Sequence, residues 1–372
     1  VAAIHRASAG IRAVVGDPIE RRAYLARLKW LVNGSGALQA HSLEYRAGLT
    51  GRFAIPVERW APDDEHLLHC PDRCGAHAPL SHLYERRFVY RLQQTVASTM
   101  SGATLMCGTA EPPFFVRESI SWPFESILTH GLDVPEVKQV AERVPGSSVV
   151  FPTTPNYYHW LIEELPLALR AAEIAPGAAY LAFADGITNR HRLVAHHIGV
   201  RLMPVPLIVA MDEQVLPGRS SDSWFVHPSD ALRLRELGDA LTEGAQGAAE
   251  RIYVSRRNSR RALPDEERLE SLLAAEGFTT LQLESLDWVD QIRAFRGARV
   301  VVGPHGAGLA NLVFTPPGAT LVELTNGAQY NRCFEWVCHV GGHGYRAVDS
   351  DAFPDSADPG RLLARILEQV AE

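Results

Sequence analysis

From about residue 85 onward, short apolar runs alternate with apolar positions at helical spacing, the pattern of an α/β protein. Ser147 to Phe151 predicts a strand, and Tyr157 to Glu173 a helix with Leu161, Leu165 and Leu169 on one stripe. A strand at 180–183, a helix at 190–198 and a strand at 207–209 follow. Pro217 to Ser223 then reads as a boundary. A second series starts with a helix over 228–241. It continues as strand 251–255, helix 264–276, strand 278–283, helix 286–295, strand 299–302, a short helix to Phe314 and strand 319–324. The crossovers are long enough for parallel pairing. An amphipathic helix over 360–370 closes the pattern and is expected to pack back on the body, towards the first series. Residues 1–80 are less regular. A helical pattern runs from Ile19 to Leu31, and 61–82 is polar and turn-like.

The 372 residues exceed one ordinary core, and two series predict two α/β domains. Apolar residues are 46% and charged residues 21%, which excludes disordered, collagen-like and coiled-coil classes. No run of about 18 apolar residues suggests a membrane span. Residues 1–12 do not follow the pattern of a secretory leader. A net charge of −7 argues against a general nucleic-acid binder. Lys29 and Lys138 are the only lysines, so the basic residues are mostly arginines, suited to fixed contacts with phosphate or carboxylate. Five cysteines are too few for a disulfide framework and predict a reducing compartment, with cytoplasmic localisation.

The segment Gly303-Pro304-His305-Gly306-Ala307-Gly308 follows a Val-rich strand and opens a helix. Its glycines let the backbone turn and a ligand approach, while free N–H groups at the helix start favour an anion. His305 adds a side-chain donor beside Gly306, Ala307 and Gly308. The spacing is neither a Walker loop nor GxGxxG. A structural turn is the alternative. Arg256 and Arg257 leave the 251–255 strand on the same sheet edge and are candidates to neutralise a diphosphate leaving group. The alternative is a solvated loop paired with Asp265, Glu266 and Glu267. Glu323 ends its strand on that edge and is expected to accept hydrogen bonds from ribose hydroxyls. Glu284, a weak signal alone, is placed near the base.

A second segment, Asn156-Tyr157-Tyr158-His159-Trp160-Leu161-Ile162-Glu163-Glu164-Leu165-Pro166, puts His159 and Glu163 four apart on one helix face. His159 suits a base or a donor near neutral pH, with Glu163 orienting it or acting itself. The plain alternative is a capped helix with a satisfied pair. Asp185, at a strand end before Gly186, is a further acid or base candidate. Metal-ligand spacing is weak: Cys70, Cys74, His77 and His82 sit too close together for a zinc finger, and Cys338, His339 and His343 read as structural. No DxD pair lies in a suitable loop, so donor binding is expected to need no metal.

Three ordered blocks, NYYHWLIEELP at 156–166, RIYVSRRNSRRAL at 251–263 and ARVVVGPHGAGLANLVFTPPGATLVEL at 298–324, resemble glycosyltransferase family 61, also described as DUF563. The resemblance implies a GT-B-like fold of two facing Rossmann-like domains with a cleft between them. The implied division is an extension at 1–80, an acceptor-side domain at 81–212, a nucleotide-sugar domain at 213–350 and a returning helix at 351–372. It also implies inverting transfer from a nucleotide sugar, taken as a UDP-sugar, to a hydroxyl of a glycan or small acceptor. No tightly bound cofactor and no metal are implied. By analogy Arg256 and the HGAG loop face the diphosphate and His159 belongs to the acceptor side. The family's form carries Arg after the Leu-Pro pair, where this chain has Leu167. Richness in Ala, Gly and Arg fits a bacterial source, and the resemblance to the family's bacterial members implies surface-glycan synthesis. The partners are then donor and acceptor, with no nucleic acid and with room for peripheral membrane contact. The competing readings are an epimerase or hydrolase on the same fold, or a non-catalytic nucleotide-binding scaffold.

Overall fold

The computed structural model describes residues 143–218, 226–259, 261–325, 332–349 and 358–371, with shorter stretches between 40 and 119. The helical pattern at 19–31 and the possible ligands Cys74 and His77 lie outside the described residues.

The chain divides into two compact units. One comprises Val1–Asp64, Glu85–Pro155 and Glu163–Ser223, and the other Glu65–Tyr84, Asn156–Ile162 and Trp224–Glu372. Each holds its own sheet, and among the described residues no strand pairing joins the two sheets. This is the two-unit, GT-B-like α/β organisation expected. The boundary falls at 223/224 rather than 212/213, and the segment 156–162 groups with the second unit, not with 81–212.

In the first unit, β1 (Ala40–His41), β2 (Glu58–Arg59), β5 (Phe88–Ser98), β6 (Thr104–Met106), β7 (Phe114–Val116), β8 (Arg143–Val150), β9 (Ala179–Phe183), β10 (Arg201–Val205) and β11 (Ile208–Pro217) share one sheet. Its order is β1-β7-β6-β5-β11-β8-β9-β10, with β2 on β5. The part β11-β8-β9-β10 is parallel, whereas β5 is antiparallel to β11. Val144, Val150, Leu181, Val209 and Met211 form the core on one face, and the paired neighbours Val149 and Tyr180 are buried on the other, so the parallel strands are apolar on both. The stretch 66–82, expected as a loop, contributes an antiparallel hairpin of β3 (His66–Cys70) and β4 (Leu80–Tyr84) to the second unit. Its polar composition hid the strand register.

The expected helix over 157–173 is interrupted. Helix α1 (Tyr157–His159) and α2 (Leu165–Ile174) flank a π-helical turn over Trp160–Glu164. Asn156 caps the start by accepting from Tyr158 N–H at 3.0 Å. The wider π register replaces the four-residue repeat on which a shared His159–Glu163 face rested. Helix α3 (Asn189–His197) follows β9.

The second unit runs α4 (Pro228–Leu241), β12 (Arg251–Val254), α5 (Glu266–Ala275), β13 (Thr279–Leu281), α6 (Trp288–Gly297), β14 (Val300–Pro304), a 3-10 helix (Ala307–Phe314), β15 (Thr320–Thr325), α7 (Cys333–Gly341), β16 (Gly344–Asp349) and α8 (Pro359–Ala371). The sheet order is β13-β12-β14-β15-β16, parallel throughout. Tyr253, Val302, Val322 and Val348 form the core with Leu269, Leu273 and Ile366. Leu362, Leu363, Ile366, Leu367 and Val370 form one helical stripe. It packs α8 on α5, β15 and β16 within its own unit, in place of the expected return to the first.

Burial holds His191 of the first unit and His343 of the second neutral. In the first, His191 Nδ1 accepts from Thr188 N–H at 3.2 Å, so Nε2–H faces Pro152 O at 3.3 Å. Burial, then the neighbouring Arg190, lowers its pKa to about 4. In the second, burial and Arg235 lower His343 to about 4. The unfolded chain takes these protons first as pH falls below about 6.5. Stability should therefore drop between pH 6.5 and pH 4, by about 3 kcal/mol per histidine, and level off below. Urea unfolding followed across that range should show the loss. The acid slope persisting unchanged in His191→Gln and His343→Gln chains would assign it to other groups.

Candidate functional site

The strand order of the second sheet reverses between β12 and β14, because β13 lies on one side of β12 and β14, β15 and β16 on the other. In open parallel sheets this switch point opens a crevice at the carboxyl ends of the strands, where ligands bind. Arg256 leaves β12 and His305 leaves β14 at this point.

Arg256 is half-buried, and its guanidinium donates through Nη1 to the backbone carbonyl of His305. The loop that carries it is fixed by buried Glu266. Oε1 accepts from Arg256 N–H at 2.7 Å and Tyr253 O–H at 2.8 Å, and Oε2 accepts from Leu263 N–H at 3.1 Å. The loop glycines serve this packing. A Cβ on Gly306 would lie 2.7 Å from Arg256 Nη1, and one on Gly308 would lie 2.6 Å from Leu283 Cδ1. The expected room for a ligand is taken here by protein side chains. Gly306→Ala meets only the movable end of Arg256, so it should fold with a normal melt while displacing the guanidinium. Gly297→Ala instead places a methyl 2.0 Å from the backbone oxygen of Gly247 and should destabilise the chain by about 1–3 kcal/mol. Paired melts of the two variants check this, and equal destabilisation would refute the distinction.

His305 Nδ1 lies 2.5 Å from Glu323 Oε1. Glu323 is fully buried, and its other oxygen accepts from Tyr345 O–H at 2.7 Å. Both oxygens are thus engaged by protein, and Glu323 holds His305 in place of the ribose contact expected from its position. Phe334 meets the His305 ring edge-on, with centroids 5.2 Å apart. Next to Phe334, burial and the Glu323 carboxylate push the Cys333 thiol up, which keeps it protonated.

The segment 156–162 is tied to the same loop. Trp288 Nε1–H donates to Tyr157 Oη at 2.9 Å, and the Tyr157 hydroxyl meets Asn311 Oδ1. Asn311 Nδ2 donates to Gly308 O and Gln291 Oε1, each at 3.2 Å. Tyr158 packs edge-on to Phe334 at 5.5 Å, with the His159 ring 5.7 Å from Tyr158. Trp160 is fully buried and meets Trp288 at 5.3 Å. His159 itself is half-buried.

The structure therefore gathers Arg256, His305, Gly306, Ala307, Gly308 and Glu323 at one edge, with the His159 segment in the same unit. Exposed Glu284 accepts from Asn258 Nδ2 at 3.1 Å near the end of β13. Arg257 instead pairs with Glu267 at 3.2 Å and Glu270 at 3.3 Å, the pattern of a solvated loop. Buried Glu163 and exposed Asp185 belong to the first unit, as does Leu167, which is buried. Sequence reasoning missed Tyr345, Asn311 and Trp288. Asn311 left a signal, a lone amide inside an apolar run. Among the described residues, no three His, Cys, Asp or Glu side chains converge as a metal set would.

Two α/β units, with an arginine and a carboxylate-held histidine at the switch point of one, define a GT-B-like protein with an anion-suited loop. Residues 157–322 match the family model of Glycosyltransferase 61. The EGF domain-specific O-linked N-acetylglucosamine transferase of Drosophila melanogaster is 33% identical over 97 residues, 25% of this chain and 18% of that protein. The Beta-1,2-xylosyltransferase of Arabidopsis thaliana is 29% identical over 86 residues, 23% of this chain and 16% of that protein. The alignments thus span less than a fifth of either curated relative. Among the described residues, no helix is long and apolar enough to cross a membrane.

Proposed function

We propose that the protein transfers a sugar from a nucleoside diphosphate donor, a UDP-sugar, to a hydroxyl of a glycan or small acceptor, with inversion at the anomeric carbon. The observation that carries this reading is Arg256 and His305 side by side at the switch point, in a segment of glycosyltransferase 61 type. The relatives' names, which include an N-acetylglucosamine and a xylose transferase, support sugar transfer. The acceptor oxygen attacks the anomeric carbon as the bond to the diphosphate oxygen breaks, and the leaving group departs with its electron pair. Arg256, the His305 imidazole and the N–H groups at the start of the 3-10 helix stabilise the charge it gains. Glu284 lies on the side of the nucleoside. His159 takes the acceptor proton or orients that hydroxyl, with Glu163 or Asp185 as the other candidate bases.

Donor binding through guanidinium and imidazole requires no divalent cation. A panel of nucleotide sugars and hydroxyl acceptors, with products read by mass and anomer by NMR, tests the reading. Transfer with inverted configuration, unaffected by EDTA, is expected. Retention, or strict dependence on added metal, would overturn the mechanism. Release of free sugar or its isomer in place of transfer would favour the hydrolase or epimerase.

A further inference from the structure

Resting on that reading of the anion site, we propose that Glu323 is a positioning residue that sets the protonation of His305, so that diphosphate binding draws a proton onto the imidazole. Glu323 is an acceptor in its ionised form, and Tyr345 O–H already supplies one of its oxygens. The other therefore takes the proton on His305 Nδ1. This fixes the Nδ1–H tautomer and leaves Nε2 as the nitrogen that changes state. Among the described residues, Nε2 meets no hydrogen-bond partner, and the side chain keeps 23% exposure while Glu323 has none. An anion beside Nε2 needs a donor there. The imidazole supplies one by gaining a proton from solvent, and it then lies between a buried carboxylate and a phosphate oxygen.

Among the described residues, four further charged or titratable groups bear on the pair. Arg256 from the β12 loop touches the His305 carbonyl and opposes protonation. Cys333 from α7 stays a neutral thiol, and Tyr158 hydrogen-bonds to it. Tyr345 from β16 is a neutral donor to Glu323. Glu266 from α5 is engaged by Arg256 N–H, Tyr253 and Leu263. Of these groups Glu323 is the carboxylate in contact with the ring, and it alone offsets Arg256 there.

The test is calorimetry of UDP and of inorganic pyrophosphate, in buffers of different ionisation heat, between pH 6 and 8.5. These probes also titrate, so the His305→Gln chain supplies the baseline. The wild-type chain should take up more protons on binding than His305→Gln does. Glu323→Gln should bind about tenfold more weakly at pH 6.5 and fall to the His305→Gln proton count. Wild-type affinity and proton uptake in Glu323→Gln would overturn the proposal and leave the nucleotide site standing. A wild-type chain that binds neither probe would overturn the functional reading itself. Nitrogen-15 imidazole spectra of the unaltered chain, assigned by the signal lost in His305→Gln, need no Glu323 variant. The Nδ1–H tautomer is expected above pH 8, and an Nε2–H tautomer would overturn the assignment.

Discussion

Replacing His159 by Ala should slow sugar transfer by about 10²–10⁴-fold while donor affinity changes little, because a base or orienting group acts on the acceptor and not on the diphosphate. The segment that carries His159 is held by neighbours on both sides. Tyr157 is fixed by Trp288 and Asn311, and Trp160 is fully buried against Trp288. Removing one half-buried imidazole between such anchors should leave the backbone in place. A side chain that served packing alone would register in the melt and leave the rate unchanged. Single-turnover transfer at saturating donor, with a thermal melt alongside, separates the two. A folded variant with near-normal transfer would remove His159 from the chemistry. Glu163→Gln and Asp185→Asn in the same assay identify the proton acceptor, since loss of the true base also erases one limb of the pH–rate profile.

Arg256→Ala should weaken UDP binding by about 10–100-fold and uridine binding hardly at all. The guanidinium is half-buried and braced by its contact to the His305 carbonyl, so little ordering is left for the ligand to impose. Arg257→Ala is the control. Its charge is shared with Glu267 and Glu270, and its removal should change UDP affinity less than threefold, or by about 0.6 kcal/mol. Calorimetry on the two variants decides. Equal losses would mean that the loop acts as a diffuse positive patch, and an unchanged Arg256→Ala affinity would move the diphosphate elsewhere.

What the sequence shows of this molecule follows burial. Strands β12, β14 and β15 stand out because a parallel strand covered on both faces is a continuous apolar run, as in Val300-Val301-Val302. Helix α7 and strand β16 do not, since Cys333 to Asp349 mixes His, Arg and Gly with apolar residues. The π turn at Trp160–Glu164 has no compositional mark. In the site, Arg256 and the HGAG loop are legible from their place after strands. The part played by Glu323 is not, because a position at a strand end does not tell which way the side chain points. Its direction is settled by Tyr345, two residues from its register partner Ala347 on β16 and on the same face.

The membership of Asn156–Ile162 in the second unit has a consequence for folding order. The hydroxyl of Tyr157 is 131 residues from Trp288 and 154 from Asn311 along the chain. During synthesis at roughly 5–20 residues per second, the Tyr-Tyr-His-Trp segment waits about 8–30 s for the partners that hold it. Contacts so distant in sequence form late and are slow to find. The first unit must therefore complete its sheet around strands that flank an unanchored loop, and the placing of His159 becomes one of the last events of folding rather than one of the first.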